Sequence, residues 1–196
     1  MTRGIVLAAG SSTRMGRAKG LLSAGDRTFI RRILDALAAG GIADRLVVTK
    51  PGDRALMVEV EAAASRAVPN PRADEGQLSS LIAGLDAADA PDVDAVLVTL
   101  VDVPLVEPAT VRELISRAAV SSAPILRAVH AGRHGHPVVF KRVVFDALRH
   151  ADPSLGAKPV FRAFEVENVE VGDPGVVEDI DTPADYERLF GPARAD

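Results

Sequence analysis

Residues 4–19 of the chain read GIVLAAGSSTRMGRAK, an apolar run that changes abruptly into a loop of small, hydroxyl-bearing and basic residues. The apolar part, Gly4 to Ala9, is short and bounded by glycine, which is typical of a strand buried inside a sheet. The loop extends from Gly10 to Gly20. Because ligands of open parallel sheets bind beyond the carboxyl ends of the strands, this loop is a candidate binding loop.

Outward from this stretch, apolar runs alternate with segments of helical periodicity. Further strands are predicted at 46–49, 67–68, 95–100, 125–129, 138–140 and 166–171. Helices are predicted at 28–39, 54–66, 78–88, 108–119, 143–150, 160–164 and 183–190, the last with Thr182 as its N-cap. The alternation predicts an α/β fold with three layers (α/β/α, Rossmann-like), a mainly parallel sheet and an antiparallel edge. We expect one domain over residues 1–190 and a frayed tail over 191–196.

The composition narrows the range of partners. The 196 residues include 23 Lys and Arg against 27 Asp and Glu, a formal net charge of −4, which argues against general binding to nucleic acid or to an anionic membrane. The chain has no Cys, which excludes disulfides, thiolate nucleophiles and Cys-ligated metals. No apolar run approaches the roughly 18 residues of a membrane span, and the first apolar run is too short for a signal peptide. We therefore expect a cytoplasmic location.

The chemistry of the loop suits a polyphosphate. Gly10 and Gly16 allow the backbone to approach a ligand closely, and three basic side chains can neutralise phosphate charge: Arg14, Arg17 and Lys19. The spacing fits neither of two familiar phosphate loops. Five residues separate the two glycines where a P-loop has four, and the dinucleotide pattern G-x-G-x-x-G is absent.

A carboxylate follows the most strongly predicted strand, 95–100. Asp102 lies two residues beyond it, in a loop that Pro104 stiffens. Mg²⁺ prefers carboxylates, waters and phosphate oxygens, so an acid opposite a polyphosphate loop is chemically sensible. An Asp that only caps a turn is an equally good interpretation of this residue alone.

Residues 178–186, EDIDTPADY, hold a second acidic group. In an extended segment Asp179 and Asp181 lie on the same side. Helix capping explains part of the pattern, with Thr182 or Asp181 as the cap and Pro183 in the first turn.

Two segments are candidates for contacts with the rest of the ligands. Residues 76–81, GQLSSL, begin a helix whose N-terminus and hydroxyls could bind an anion, although plain N-capping explains them as well. The His and Gly residues of 130–137 have no adjoining carboxylate and no third spaced ligand, so a Zn²⁺ site there is improbable.

The pattern Leu7-Ala8-Ala9-Gly10-x-Ser12-x-Arg14-Met15-Gly16-x-x-Lys19 resembles the signature of the MobA-like nucleotidyltransferases, and most of all their molybdenum cofactor cytidylyltransferase branch. The resemblance implies a GT-A-like nucleotidyltransferase fold. It implies that the nucleotide is bound by Leu7, Ala8, Ala9, Gly10, Ser11, Ser12, Arg14, Lys19, Gly76, Ser79 and Ser80.

The same resemblance implies roles for the remaining motifs. Arg14, Lys19 and Asp102 would be catalytic. Asp102-Val103-Pro104 matches the family's Asp-x-Pro, so Asp102 would bind Mg²⁺ together with Asp181, which we favour over Asp179. His136 and Lys158 would contact the acceptor, although Lys158 stands where many members carry Arg.

We therefore expect a Mg²⁺-dependent enzyme that transfers CMP from CTP to a phosphorylated acceptor such as molybdopterin and releases pyrophosphate, with a delivery partner among molybdoenzyme maturation proteins. A different phosphorylated acceptor, such as a sugar phosphate or a phospholactate-like acid, stays open. So does a sensor or an oxidoreductase on the same fold, because fold alone does not fix function.

Overall fold

Strands and helices alternate along the computed structural model, which describes residues 1–10 and 18–191. The strands are β1 (Thr2–Leu7), β2 (Ser23–Ala24), β3 (Arg27–Thr28), β4 (Arg45–Thr49), β5 (Arg66–Pro69), β6 (Ala95–Leu100), β7 (Ile125–His130), β8 (Arg133–Lys141) and β9 (Val166–Glu170). The helices are α1 (Phe29–Ala39), α2 (Arg54–Ala62), α3 (Gln77–Ala88), α4 (Pro108–Val120), α5 (Phe145–Arg149), α6 (Lys158–Ala163) and α7 (Pro183–Phe190). Short 3₁₀ turns cover Lys19–Leu21, Ala73–Glu75, Arg142–Val144 and Pro174–Val177.

Seven of these strands form one sheet in the order β5-β4-β1-β6-β8-β7-β9. β5, β4, β1 and β6 run parallel to one another, β8 runs antiparallel to both of its neighbours, and β9 is parallel to β7. One row of the register crosses the middle of the sheet and joins Ile5, Val98, Val138 and Arg127 as successive partners. The predicted α/β class with a mainly parallel sheet is confirmed.

The place of the antiparallel strand differs from the prediction. β8 lies inside the sheet, between β6 and β7, and the edge beside β7 is formed by the parallel strand β9. The cause is the two-residue turn between β7 and β8, where Ala131 and Gly132 both have positive φ, 50° and 73°. Such a tight turn folds β8 directly back onto β7, and the free edge of β7 then pairs with β9.

Helices cover both faces of the sheet, as the predicted three layers require. Alternate residues of β1 point to opposite faces, so Val6 packs with α1, α2 and α4, while Ile5 and Leu7 pack with α3 and α5. Thr28 caps α1 by accepting a hydrogen bond from the Arg31 amide at 3.3 Å. A third, smaller cluster joins Phe29 to α7 through Tyr186 and Phe190.

Several helices and strands begin or end at other residues than the sequence periodicity predicts. The predicted helix 54–66 ends at Ala62, because Ala64 has a φ of 51° and residues 66–69 join the sheet. The predicted strand 138–140 begins at Arg133, since Arg133 and His134 also pair with the end of β7, across an irregularity in the register. The hairpin β2–β3 was not predicted, because strands of two residues leave no periodic signal.

The C-terminal prediction is largely confirmed. Thr182 caps α7: its hydroxyl accepts from the Asp185 amide at 3.2 Å, and the Asp185 carboxylate accepts from the Thr182 amide at 2.9 Å. Residues 192–196 of the predicted frayed tail lie outside the described residues. Within the described part of the chain, none of the helices has the length and apolar character that crossing a membrane requires.

Gly135 lies at a contact that admits no side chain. A Cβ built on it would stand 2.0 Å from the carbonyl oxygen of Val176, which is backbone and has little freedom to move. We expect Gly135→Ala to lower the free energy of unfolding by about 3 kcal/mol, because it pushes β8 away from the Pro174–Val177 turn. Urea denaturation measures this. Gly172→Ala is the matched control, since a Cβ at Gly172 meets nothing within 4 Å. Equal stability of the two variants would contradict the prediction.

Candidate active site

The carboxyl ends of β1, β4 and β6 share one edge of the sheet, and a cavity of about 370 Å³ opens there, between β1 and the start of α3. It contains seven of the predicted site residues. Its lining is Leu7, Ala9, Gly10, Lys19, Ala73, Asp74, Gly76, Gln77, Ser80, Leu100, Val101 and Asp102. The predicted residues Ser11, Ser12 and Arg14 lie outside the described residues.

Lys19 connects the two predicted carboxylates. Its Nζ lies 2.5 Å from Asp181 Oδ1 and 3.4 Å from Asp102 Oδ2. The lysine is held by a 3₁₀ turn in which the Leu22 amide donates to the Lys19 carbonyl at 3.0 Å. The carboxylates come together because the Ile180 amide donates to the Asp102 carbonyl at 2.9 Å, which fixes the 178–182 segment beside the end of β6. Three motifs far apart in sequence therefore meet at one point.

The single positive charge of Lys19 does not balance the negative charges of the carboxylates around it. Burial raises the pKa of Asp102, the ammonium of Lys19 opposes that rise, and the neighbouring Asp181 adds to it. The pKa of Asp179 is also raised, by partial burial and then by the carboxylates of Asp102 and Asp181. Among the described side chains, Asp102 Oδ1 is buried and has no hydrogen-bond partner. A carboxylate oxygen in that condition suits an additional cation or donor.

The carboxylates of this site fit a cation that takes its remaining ligands from a substrate and from water. The described residues contain no group of three or more His, Asp and Glu placed to hold a metal by themselves. Mg²⁺ in phosphate-binding sites takes one or two carboxylates and completes its shell with waters and phosphate oxygens. Asp102 and Asp181 are available for that arrangement, and Asp102 has the buried free oxygen.

Two predicted nucleotide-binding groups are engaged elsewhere. The Ala8 amide donates to the Val48 carbonyl at 2.9 Å, so it belongs to the sheet and cannot contact a phosphate. The Ser79 hydroxyl is buried and donates within its own loop, at 2.7 Å to the Arg72 carbonyl and at 2.8 Å to the Gly76 carbonyl. Ser79 therefore shapes the start of α3, whereas its neighbour Ser80 lines the cavity.

Asn70 was missed in the sequence. It is buried at the end of β5, where its side-chain nitrogen lies 3.0 Å from Ser79 Oγ and 3.1 Å from Ser80 Oγ, and its oxygen accepts from the Arg72 amide at 3.0 Å. These bonds hold the 70–76 loop that forms one wall of the cavity. An Asn directly before a proline was the available signal, but it predicts only a turn.

A second cavity, of about 470 Å³, adjoins the first and shares Leu7, Gln77 and Leu100 with it. It contains the predicted acceptor residues His136 and Lys158. The remaining polar side chains of this cavity, among them Arg127, Arg133 and Asp179, were not predicted to contact an acceptor. For Arg127, the available signal in the sequence was an arginine within the largely apolar run ILRAVH of β7.

His136 is neutral at physiological pH. Burial, together with the positive charge of Arg127, lowers its pKa to about 4. It therefore offers a neutral donor and acceptor to a ligand, and the positive charge of the cavity comes from arginine and lysine.

The low pKa of His136 makes stability depend on pH. In the unfolded chain this histidine takes up a proton below its ordinary pKa of about 6.5, but the folded chain resists it, so stability falls as pH drops from about 6.5 towards 4. We expect wild type to lose up to about 2 kcal/mol more than His136→Gln between pH 7.5 and pH 5. Urea denaturation at the two pH values measures the difference. Parallel pH profiles for the two proteins would show that His136 titrates normally.

Comparisons with known proteins agree with this architecture. Residues 4–169 match the MobA-like NTP transferase domain family. The crystal structure of Rv0371c from Mycobacterium tuberculosis H37Rv is 30% identical and superimposes with a TM-score of 0.81, covering 96% of this chain and 97% of that one. The structure of Rv0371c in complex with manganese gives 29% identity and a TM-score of 0.79 over the same shares of the two chains.

A more distant likeness concerns the fold alone. A nucleotidyl transferase from Methanothermobacter thermautotrophicus, Mth528, is 23% identical with a TM-score of 0.80, covering 97% of this chain and 96% of that one. The comparison with curated proteins gives no match.

Proposed function

Because this chain belongs to the MobA-like NTP transferase family and is a nucleotidyltransferase, we propose that it transfers CMP from CTP to a phosphorylated acceptor such as molybdopterin. An oxygen of the acceptor phosphate attacks the α-phosphorus of CTP. The bond from that phosphorus to the oxygen bridging to the β-phosphate breaks, and pyrophosphate leaves. Such a reaction needs alignment and charge stabilisation more than covalent participation by the protein.

The observation that carries the proposal is the meeting of Lys19, Asp102 and Asp181 at the first cavity, which Lys19 and Asp102 line. The second cavity adjoins the first along Leu7, Gln77 and Leu100. The first cavity has the size and the glycine-containing walls for a nucleotide, and the second has the basic side chains for an acidic acceptor. Carboxylates that could hold a divalent cation, beside a cavity for the nucleotide and next to a cavity for the acceptor, support transfer of a nucleotidyl group from one ligand to the other.

The residues divide by cavity. The nucleotide side is lined by Ala9, Gly10, Gly76 and Ser80. Ser11, Ser12 and Arg14, which lie outside the described residues, are assigned to the nucleotide by the family resemblance. Lys19 stabilises the charge that develops as pyrophosphate departs. His136 and Lys158 contact the acceptor.

Asp102 and Asp181 hold Mg²⁺. When bound, the ion neutralises phosphate charge and orients the phosphates for in-line attack. The unpartnered Oδ1 of Asp102 supports this assignment. A related protein, Rv0371c from M. tuberculosis, forms a complex with manganese, which also supports a metal site.

Two measurements test the proposal. The first is thermal unfolding with each of the four NTPs, with and without Mg²⁺. We expect CTP with Mg²⁺ to stabilise most, by about 2.7 kcal/mol when the ligand is at 100 times its Kd. The second is pyrophosphate release with candidate acceptors, in which molybdopterin is compared with a sugar phosphate and a phospholactate-like acid. A larger shift with another NTP would replace the base assignment, and absence of pyrophosphate release with all of these acceptors would contradict the transferase assignment.

A further inference from the structure

Arg127 occupies an unusual place for a cation, in the middle of β7 among buried apolar neighbours. Its side chain is half-buried and lines the second cavity. The guanidinium is held in position from two sides. Nε and Nη2 donate to Asn168 Oδ1 at 3.2 and 2.9 Å, and the central guanidinium carbon lies 5.7 Å from the ring centroid of Phe161.

Neither of these contacts neutralises the charge. Asn168 is an amide and Phe161 an aromatic ring, and among the described residues Arg127 forms no ion pair with a carboxylate. Burial lowers the pKa of Arg127, and its charge contributes to the low pKa of His136, as expected for a cation whose field reaches into the cavity. With Nε and one donor of Nη2 taken by Asn168, the remaining guanidinium donors are left for a ligand.

The cavity as a whole is basic, although the chain carries a net charge of −4. Among the described residues its lining includes three permanent cations, Arg127, Arg133 and Lys158, against one carboxylate, Asp179. Asp179 belongs to the acidic group around Lys19, and the charges that act on it are those of Asp102, Asp181, Arg133 and Lys19. The charge imbalance indicates an acidic acceptor.

The position of Arg127 separates it from the transfer point. It is the register partner of Val138, which is the partner of Val98, so two strand spacings of about 4.8 Å each, roughly 10 Å in all, separate it from β6. Asp102 lies four residues further along the chain from Val98. The guanidinium is also held towards Asn168 on β9, the neighbour of β7 on the side away from β6. We therefore take an anion at Arg127 to be a different group from the phosphate that reacts beside Asp102.

We propose that Arg127 binds a second oxyanion of the acceptor, at the end remote from the reacting phosphate. The acceptor class is a phosphate ester with a further carboxylate or phosphate on an apolar body. It rests on the nucleotidyl transfer proposed above but not on molybdopterin, which has a single phosphate. Among the acceptors named above it favours the phospholactate-like acid. The apolar body lies against the cavity walls formed by Val98, Val138, Phe140 and Phe161. Asn168 is a positioning residue that aims the guanidinium.

The test uses direct binding to the purified full-length protein and needs no turnover. The probes are phosphate monoesters of ω-hydroxycarboxylic acids with two to six methylene groups, each compared with its neutral primary amide, and the corresponding α,ω-bisphosphates. Isothermal titration measures Kd for wild type, Arg127→Met, Asn168→Ala and Lys158→Met. We expect the acid to bind about tenfold more tightly than its amide at one or more chain lengths in wild type. The bisphosphate arm shows whether the second oxyanion is a carboxylate or a phosphate.

The variants separate a specific role from a general effect of charge. Arg127→Met should bind acid and amide equally, and Asn168→Ala should retain only part of the preference. Lys158→Met should weaken both probes by the same factor and keep the preference. If Arg127→Met does not fold, Arg127→Lys and Asn168→Ala provide the comparison. Equal binding of acid and amide at every length in wild type, an unchanged preference in Arg127→Met, or no binding of any probe would each overturn the proposal.

Failure here is distinguishable from failure of the proposed function. If the enzyme releases pyrophosphate with an acceptor that carries no second oxyanion, and the probes show no preference, only the role of Arg127 is wrong. If the probes show the preference while no NTP stabilises the protein, the cavity is an anion site and the transferase assignment fails.

Discussion

Replacing Asp102 by asparagine should lower kcat by roughly 10³-fold, equivalent to about 4 kcal/mol of transition-state stabilisation, because it removes the carboxylate best placed to bind a divalent ion. Asparagine keeps the shape of the side chain but loses the charge. Pyrophosphate release at saturating CTP and Mg²⁺ measures the effect. Full activity in this variant would refute the metal-binding role.

The same variant should not lose stability. Burial raises the pKa of Asp102 above its unfolded value, so the unfolded chain ionises first and the native state loses stability as pH rises through that interval. At pH 7 the ionised carboxylate therefore costs stability, which asparagine restores. We expect the Tm of Asp102→Asn to equal or exceed that of wild type at pH 7, with the advantage vanishing at acid pH.

Asp173 offers a matched control. Its carboxylate is buried and accepts three hydrogen bonds of 2.8 Å, from the Glu107 amide, the Thr110 hydroxyl and the Gly175 amide. Asp173→Asn should reduce stability by about 2 kcal/mol, since one carboxylate oxygen becomes a donor facing donors, while kcat changes little. The two Asp→Asn variants thus separate a carboxylate that serves the reaction from one that serves the fold.

Replacing Lys19 by methionine should reduce both activity and stability. The ammonium stands 2.5 Å from Asp181 and 3.4 Å from Asp102, and without it the two carboxylates repel each other. We expect kcat to fall by at least about 10³-fold, since a charge that stabilises the departing pyrophosphate is lost. The free energy of unfolding should fall by about 1–3 kcal/mol, less than for a fully buried pair because Asp181 is largely exposed.

Lys19→Arg is the control for charge. It keeps a cation but exchanges a compact ammonium for a planar guanidinium, so it should recover most of the stability and only part of the activity. Measurements of pyrophosphate release and urea denaturation on the same preparations distinguish these effects. If Lys19→Met retained wild-type kcat, the lysine would be a structural residue only.

Local sequence patterns were sufficient for the fold class. The buried runs of β1 and β6 and the periodicity of α1 are short-range features, and a strand or helix signal needs nothing from the rest of the chain. The neighbour of each strand is a long-range property. β8 was therefore predicted as a strand, but the antiparallel strand was expected at the edge of the sheet and lies inside it.

The candidate site shows the same difference between local sequence patterns, which can be predicted, and long-range contacts, which cannot. Lys19, Asp102 and Asp181 stood out because each lies in a distinctive local pattern, although their proximity depends on a contact across 162 residues. Arg127 and Asn70 carry only weak local signals, an arginine in a largely apolar run and an asparagine before a proline, and neither signal points to a site. Their importance arises only when β7 comes beside β8, or when the 70–76 loop folds against α3, so a single sequence could not identify them.

The hydrogen bond from the Ile180 amide to the Asp102 carbonyl also has a consequence for biosynthesis. A chain leaving the ribosome presents Lys19 and Asp102 before the 178–182 segment, and folding during synthesis proceeds from the amino terminus. Until that segment docks, with α7 anchored on Phe29, Lys19 has only one of its two carboxylates. The sheet can therefore form on the nascent polypeptide before Asp181 joins Lys19, and the group of charges around Lys19 is completed only after the 178–182 segment has left the ribosome.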